Sequence, residues 1–371
     1  MSFIVSIGTA IPKYKYQQSD ISDYMIDSLN LTDEKEIRKL KVLYKKSAIN
    51  YRYSVLPDFK FNGHAPVLFG MNGSAPPSVQ TRLKIFEEEA YNLSRVAITD
   101  CISRACANSG EDFNPEKITH LITVSCTGMS APGLEIEIVR SYGLNKDVTR
   151  LAVNFMGCYG AFHALKIADA ICRANANAMA LIVCVELCTL HFQKETSEDC
   201  LLANTLFADG SATLLITGKN SQNKFNKKLR PDKFTTQIVH KGERDMAWRI
   251  SSSGFLMTLT SHIPYLVNEG INELYDKTMG KTKKGLIHYA IHPGGKKIID
   301  KCAEVLNLKN HELATSLSVL EDFGNMSAPT VLFVLKKLWD EKINWSRKEK
   351  IFGAGFGPGL TMEAACLTTI N

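Results

Sequence analysis

The sequence predicts an α/β protein of stacked layers, and three observations carry that expectation. Short apolar runs of strand length (Phe3 to Gly8, His120 to Ser125, Met179 to Glu186, Leu286 to His292) alternate with segments whose apolar residues recur at helical spacing. Such runs suit strands covered on both faces by helices. The order of parts also repeats along the chain. In each half a strand ending in a glycine-containing loop leads to a helix, then comes a second loop-to-helix turn, then a closing pair of strands; this echo points to an internal duplication. The expected division is residues 1–218, a polar, basic linker KNSQNKFNKKLRPDKFTT at 219–236, and residues 237–371.

In order, Phe3 to Gly8 is a strand broken by Pro12, and Asp20 to Leu29 is helical. Asp33 to Ser47 is a helix with an apolar stripe of Ile37, Leu40 and Leu43 and with Lys35, Arg38, Lys39, Lys41, Lys45 and Lys46 around it. That basic face is either a solvated surface or a phosphate site. Residues 54–79, rich in Pro, Gly and Asn, read as an irregular loop, and Thr81 to Asn108 as a long helix. A helix covers Leu134 to Tyr142, and Phe207 to Gly218 turns at Asp209-Gly210 and ends in a strand. Beyond the linker, Gln237 to His240 and Met246 to Ile250 are strand-like and Ser261 to Thr278 is helical. The strand ending at His292 breaks in Pro293-Gly294-Gly295 before the helix KKIIDKCAEVLN. Asp322 to Ser327, DFGNMS, precedes a helix through Asp340, and IFGAGFGPGLTMEAACLTT closes the chain as two strands around a Gly/Pro turn.

Composition narrows the function classes. With 45% hydrophobic residues over 371 positions, the chain has enough apolar material for a large core. Against 38 acidic residues stand 44 basic ones, a formal charge of +6, too mild and too dispersed to indicate nucleic acid; an anionic small molecule fits better. The opening MSFIVSIGTAIP has no basic flank and an apolar run only a strand long, so neither a signal peptide nor a membrane span is expected, and the protein reads as cytoplasmic. Ten cysteines without the dense spacing of a secreted disulfide scaffold suggest reduced thiols, and no pair of CxxC units suggests zinc. Cys184 and Cys188, near a strand end, read as cavity lining or core.

The chain's chemistry centres on Leu151 to Ala174, LAVNFMGCYGAFHALKIADAICRA. A short buried strand turns at Gly157 into a helix whose first turn holds Cys158. Most buried cysteines merely pack. A glycine-flanked cysteine at a strand-to-helix turn is, however, the sulfur version of a nucleophile elbow, and the positive end of the helix favours the thiolate. His292, before Pro-Gly-Gly, either satisfies a strand end or holds a thiolate and donates to a substrate carbonyl. Asn325, in Gly-Asn-Met-Ser, either caps the next helix or donates to an oxygen on which negative charge develops. All three stand just after a strand or loop and just before a helix, where layered α/β folds gather their ligands, so the three ends can converge on one pocket. Together they suggest acyl chemistry, with cysteine taking an acyl group as a thioester while His and Asn donate to a developing oxyanion. GAGFGPG at 353–359 invites comparison with dinucleotide loops, but Pro358 and the strand that follows argue for a rigid turn shaping a cavity wall.

At these residues the sequence resembles the type III polyketide synthases, the chalcone synthase-like family, in a bacterial form. GCYGAFHALKIA is similar to the family's nucleophile segment, IHPGGKKIID to its histidine segment, DFGNMSAPTVLFVL to its asparagine segment and GFGPGLTMEAACL to its C-terminal loop, in the family's order and across nearly the whole chain. The resemblance implies a thiolase-like αβαβα fold of two similar halves, a homodimer, and iterative decarboxylative condensation of malonyl-CoA onto an acyl-CoA starter, ending in a pyrone or a phenolic ring. It implies no cofactor beyond these CoA substrates and no metal. It assigns Cys158 as nucleophile and acyl carrier, with His292 and Asn325 promoting decarboxylation and stabilising the enolate. The implied substrate cavity is bounded by Phe207, Met257, Trp248, Cys126, Thr127, Cys188, His191 and Ser327, and by Gly355, Phe356, Gly357 and Pro358 of the C-terminal loop.

Several positions depart from the plant pattern. Met257 stands where a second gatekeeping phenylalanine is usual, Trp248 where a glycine lines the cavity floor, and Cys126 where a threonine is usual. Lys39 and Lys46 fall where the family binds CoA phosphates, but Val42 replaces the arginine between them, leaving Lys41 or Lys45 as substitutes. The nearest rival is a β-ketoacyl synthase of the kind that starts fatty-acid chains, which shares the three residues. A papain-like hydrolase also uses Cys, His and Asn but fits the long α/β pattern poorly, and a catalytically silent relative would not need all three.

Overall fold

Apolar runs flanked by helices resolve into one twisted sheet wrapped by helices, in a computed structural model that describes residues 1–60, 66–69, 75–280 and 287–371. The first half contains β1 (Ser2–Ala10), β2 (Tyr14–Gln17), α1 (Gln18–Ser28), α2 (Glu34–Lys46), β3 (Tyr51–Ser54) and α3 (Val79–Ser109). It continues with β4 (His120–Ser125), α4 (Leu134–Tyr142), β5 (Thr149–Asn154), α5 (Gly160–Ala174), β6 (Met179–Leu187), α6 (Glu198–Leu206) and β7 (Asp209–Gly218). The second half contains β8 (Lys228–Ile238), β9 (Met246–Ser251), β10 (Gly254–Leu259), α7 (Ile263–Met279), β11 (Ile287–Ile291) and α8 (Lys296–Leu306), then α9 (Ala314–Phe323), α10 (Thr330–Glu341), β12 (Lys350–Gly357) and β13 (Thr361–Ile370).

The main sheet has the order β11-β12-β13-β8-β1-β7-β6-β4-β5. Outward from the centre, β1, β7, β6 and β4 alternate antiparallel, antiparallel, parallel, and β8, β13, β12 and β11 repeat the same senses. The duplication expected from the order of parts is therefore present as topology, with the halves joined where β1 meets β8. Helices α5 and α10 lie between the two halves of the sheet, and their apolar faces (Phe162 and Leu165; Val331, Leu335 and Leu338) form the central core. Outside them, α3 covers β1, β7 and β6, while α7 covers β13 and β8. The result is the layered αβαβα architecture of the thiolase-like folds.

Three stretches differ from the sequence reading. The second half of the expected linker 219–236 is strand, because β8 begins at Lys228 and pairs along its length with β13. Its polar residues hid it: Pro231 lacks an N–H and sits beside the register shift, Asp232 pairs with Arg230 at 2.8 Å, and Thr368 donates to Asp232. Asp209-Gly210 is not a turn but the start of β7, and the helix α6 stands before it. The strand-like stretch at Met246 to Ile250 is β9, which pairs with β10 in a hairpin; neither β10 nor helix α9 is marked by the sequence pattern. Part of the expected 54–79 loop, and Leu286, lie outside the described residues. Among the described residues no helix is long and apolar enough to cross a membrane.

Candidate active site

Strand β5 ends at Asn154, and the chain reverses through Phe155 (φ 58°) and Gly157 (φ 72°) before a short 3-10 turn carries Cys158 into α5. Gly157 is required twice. Its positive φ suits glycine, and a Cβ there would meet Pro358 Cδ at 2.3 Å. The Gly157 N–H donates to Cys126 Sγ at 2.9 Å, so the thiol after β4 braces the turn that presents the thiol of Cys158.

His292 extends β11 by one residue, donating its backbone N–H to Ala354 O at 2.7 Å. The ring is 1% exposed, and neither Nδ1 nor Nε2 has a partner among the described residues. Asn325 follows Gly324 (φ 70°) at the end of α9. Its Oδ1 accepts the Ser327 N–H at 2.8 Å and lies 3.9 Å from Cys158 Sγ, while its Nδ2 donates to Gly294 O at 3.3 Å, in the loop after His292. Asn325 thus bridges the cysteine turn and the histidine loop, and all three residues line one cavity.

Burial governs the protonation states. It pushes the Cys158 thiol up to about 12, opposed by the Ser327 hydrogen bond, and pushes His292 down to about 3. Burial and the helix end therefore act on this thiol in opposite senses: loss of hydration favours the neutral form, and the dipole of the first helix turn favours the thiolate. Cys126 is likewise held well above the usual thiol range by burial.

Glu186, at the end of the apolar run of β6, is wholly buried. It accepts from Cys126 N–H at 2.9 Å, Thr127 Oγ1 at 2.8 Å and Ser327 Oγ at 3.1 Å. Desolvation still raises it to about 7. The sequence reading passed over this residue, although a carboxylate inside a strand with no polar alternation was a signal. The cavity floor is an aromatic wall. His191 stacks on Phe255 (4.1 Å, 6°) and Trp248 meets both edge-on, its Nε1–H donating to Cys126 O at 2.7 Å. Phe255 N–H donates to His191 Nδ1 at 3.0 Å, so the other nitrogen carries the proton and donates to Thr127 O at 2.7 Å. With burial holding it near 3, His191 is a neutral, fully bonded wall.

Of the expected lining residues, Phe207, Met257, Cys188, Ser327, Phe356 and Pro358 face the same cavity as Cys126, Thr127, His191 and Trp248. Gly355 and Gly357 do not line it; they leave room for Phe162 and Tyr159 behind it. Cys184 is core and Cys188 is lining. Lys39 and Lys46 are exposed on α2, outside the cavity. All ten cysteines are free, and among the described residues no three His, Cys, Asp or Glu side chains are grouped to hold a metal.

A cavity shared by two duplicated α/β halves and lined by a cysteine, a histidine and an asparagine from three strand or loop ends places the molecule among the thiolase-type condensing enzymes. Comparison with known proteins narrows this class. Residues 1–220 match the family model described as chalcone and stilbene synthases, N-terminal domain, and residues 233–371 match the C-terminal domain, so the chain belongs to the chalcone and stilbene synthase family and is a type III polyketide synthase. A Bacillus subtilis (strain 168) chalcone synthase candidate is 30% identical over 376 residues, covering 98% of this chain and 97% of its own. "Alpha-pyrone synthesis polyketide synthase-like Pks18" of Mycobacterium tuberculosis (strain ATCC 25618 / H37Rv) is 28% identical, covering 100% and 92%. The crystal structure of PKS-I from the brown alga Ectocarpus siliculosus superposes with a TM-score of 0.90 at 27% identity, covering 100% and 98%.

Proposed function

We propose that the chain loads an acyl group from an acyl-CoA onto Cys158 and extends it with two-carbon units from malonyl-CoA, releasing a pyrone or a phenolic ring. The observation that carries this reading is the Asn325 amide, 3.9 Å from Cys158 Sγ and bonded to the loop of a histidine with two unclaimed nitrogens. In loading, the Cys158 proton passes to the His292 imidazole as sulfur attacks the thioester, and the departing CoA thiolate takes that proton. In extension, malonyl-CoA loses CO2, and the resulting enolate oxygen accepts hydrogen bonds from the imidazole N–H and from Asn325 Nδ2. Enolate carbon then attacks the Cys158 thioester and expels the thiolate. Burial supports this division: a neutral imidazole retains one N–H to donate, and donors in a dry site bind developing charge strongly.

The CoA phosphates are held on α2. At about 100° per residue, Lys35 shares a face with Lys39, Val42 and Lys46, while Lys45 lies about 60° and Lys41 about 100° from Val42. Lys41 also faces Asp23 at 3.8 Å. Lys45 is therefore the better substitute for the missing arginine. The working form is a cytoplasmic homodimer joined beside β5. That edge strand leaves most of its residues exposed, with Met129 and Met156 open nearby.

The test is mass spectrometry of products from malonyl-CoA alone and with short, long and aromatic acyl-CoA starters, for the purified protein and for Cys158→Ala. Polyketide products that vanish in the variant, with unchanged thermal stability, are expected. Condensation that survives the substitution overturns the assignment of the nucleophile. Products formed only from acyl groups on a carrier protein would turn the reading towards the fatty-acid type of condensing enzyme.

A further inference from the structure

The C-terminal carbonyls of α6 form a fan in which every oxygen has a named donor. Asn204 O accepts from Arg52 Nη1 at 2.7 Å and from Tyr44 Oη at 3.3 Å, and Thr205 O accepts from Gln18 Nε2 at 2.8 Å. Leu206 O accepts the backbone N–H of Asn325 at 2.9 Å, and Phe207 O accepts Arg52 Nη1 at 2.8 Å. One of these donors is thus the main chain of a residue in the site, while the rest come from α1, α2 and β3. Ala208 N–H returns a bond to Asn325 O at 2.9 Å, so Phe207 and Asn325 form an isolated bridge.

Arg52 is at the centre of this arrangement. It is 4% exposed, its Nε donates to Gln18 Oε1 at 2.9 Å, and its guanidinium is set against the negative end of the α6 dipole. Its stem also lies against the residue before Asn325: a Cβ on Gly324 would meet Arg52 Cγ at 2.9 Å and Leu206 O at 3.1 Å. A buried guanidinium is an expensive way to fill space. Its geometry, with two oxygens on one nitrogen and a glycine-sized gap for its stem, ties it to the Phe207-Asn325 bridge.

We propose that Arg52, with Gln18 and Tyr44, is a positioning residue that sets the register of Phe207 against Asn325 and so aims the Asn325 amide for malonyl decarboxylation. The inference rests on the role given above to Asn325. Tyr44 belongs to α2, so the helix carrying Lys39 and Lys46 is fastened to the same carbonyl fan. Arg52 touches neither Cys158 nor His292 by any hydrogen bond. Its removal therefore affects the donor step more than acyl loading.

The experiment separates the two half-reactions on the full chain. Acylation of Cys158 by a starter acyl-CoA is read by intact-protein mass, and conversion of malonyl-CoA to acetyl-CoA by chromatography. Arg52→Gln is expected to keep acylation near the wild-type rate and to lower decarboxylation by about 10- to 100-fold, the scale of a displacement near 1 Å. Arg52→Lys restores part of the loss. Gln18→Met, which removes one arm and leaves the charge, loses less in the same direction, and it decides the matter if Arg52→Gln does not fold. Equal loss of both half-reactions, or unchanged decarboxylation in a folded variant, overturns the proposal. A wild-type protein that shows neither half-reaction overturns the functional reading instead.

Discussion

The two halves share one topology and divide the chemistry between them. The residue after β4 is Cys126 and the residue after the corresponding strand β11 is His292; the turn into α5 carries Cys158 and the turn into α10 carries Asn325. In the first half the second position is reached from a full strand, β5, paired along its length with β4. In the second half no strand stands there; the main chain of Asn325 forms one isolated bridge to Phe207, and its side chain is bonded to Ser327 N–H and Gly294 O. Duplication thus supplies four strand and loop ends at one cavity. The difference teaches that one end of the cavity is set by a strand-backed turn, whereas the Asn325 end is set by bonds to Leu206, Ala208, Gly294 and Ser327 around it.

The largest effect should come from separating the two residues that follow β4 and β11. His292→Gln is expected to lower decarboxylation and extension by about 10²- to 10⁴-fold, while Cys126→Ser keeps one acylated thiol per chain. Labelling by iodoacetamide with peptide mapping checks which thiol reacts. Equal losses in the two variants would break the division of labour. Next in size is Trp248→Gly, which removes the indole beside His191 and Phe255 and its bond to Cys126 O. Longer or differently cyclised products are expected by liquid chromatography and mass spectrometry. The stability loss should fall below the roughly 3–5 kcal/mol of a fully buried Trp→Ala change, since this side chain is only partly buried. An unchanged product profile would remove Trp248 from the cavity wall.

The smallest effect concerns pH. Glu186 rises from an ordinary value of 4.5 to about 7 on folding. Below about pH 4.5 it is protonated in both states and its favourable contribution is complete. Between about 4.5 and 7 only the unfolded chain loses the proton, so stability falls with rising pH by up to about 1.4 kcal/mol per unit. Glu186→Gln lacks this titration, and Asp209, raised to about 6 by burial, cancels in the difference. Thermal midpoints of the two proteins should therefore diverge in the wild type's favour as pH falls through that window. A constant gap would mean that Glu186 stays ionised.

Much of this was legible locally. Helical and strand spacing marked α3, α5, α7, α8, β4 and β6 to within a residue or two, because apolar period and turn chemistry are properties of neighbouring residues. Strand β8 was not legible, since its Arg230 and Asp232 pair with each other and its ladder partner β13 is far along the chain; nor was α6, whose last carbonyls are taken by Gln18, Tyr44, Arg52 and Asn325.

By itself the sequence determined the α/β class, the duplicated order and the three residues at the ends of strands and loops, each written within a dozen positions. Burial in the tertiary structure is what shifts the Cys158 thiol up and the His292 imidazole down. Cys158 lies 167 positions from Asn325 and 28 from Glu186, and its thiol is pushed up because folding removes the water that would have hydrated a thiolate. The fixed tautomer of His191, the shared hydrogen bonds of Glu186 and the clasp of Arg52 on the end of α6 arise in the same way. Each depends on desolvation and on partners brought from distant parts of the chain, and neither is a property of local sequence.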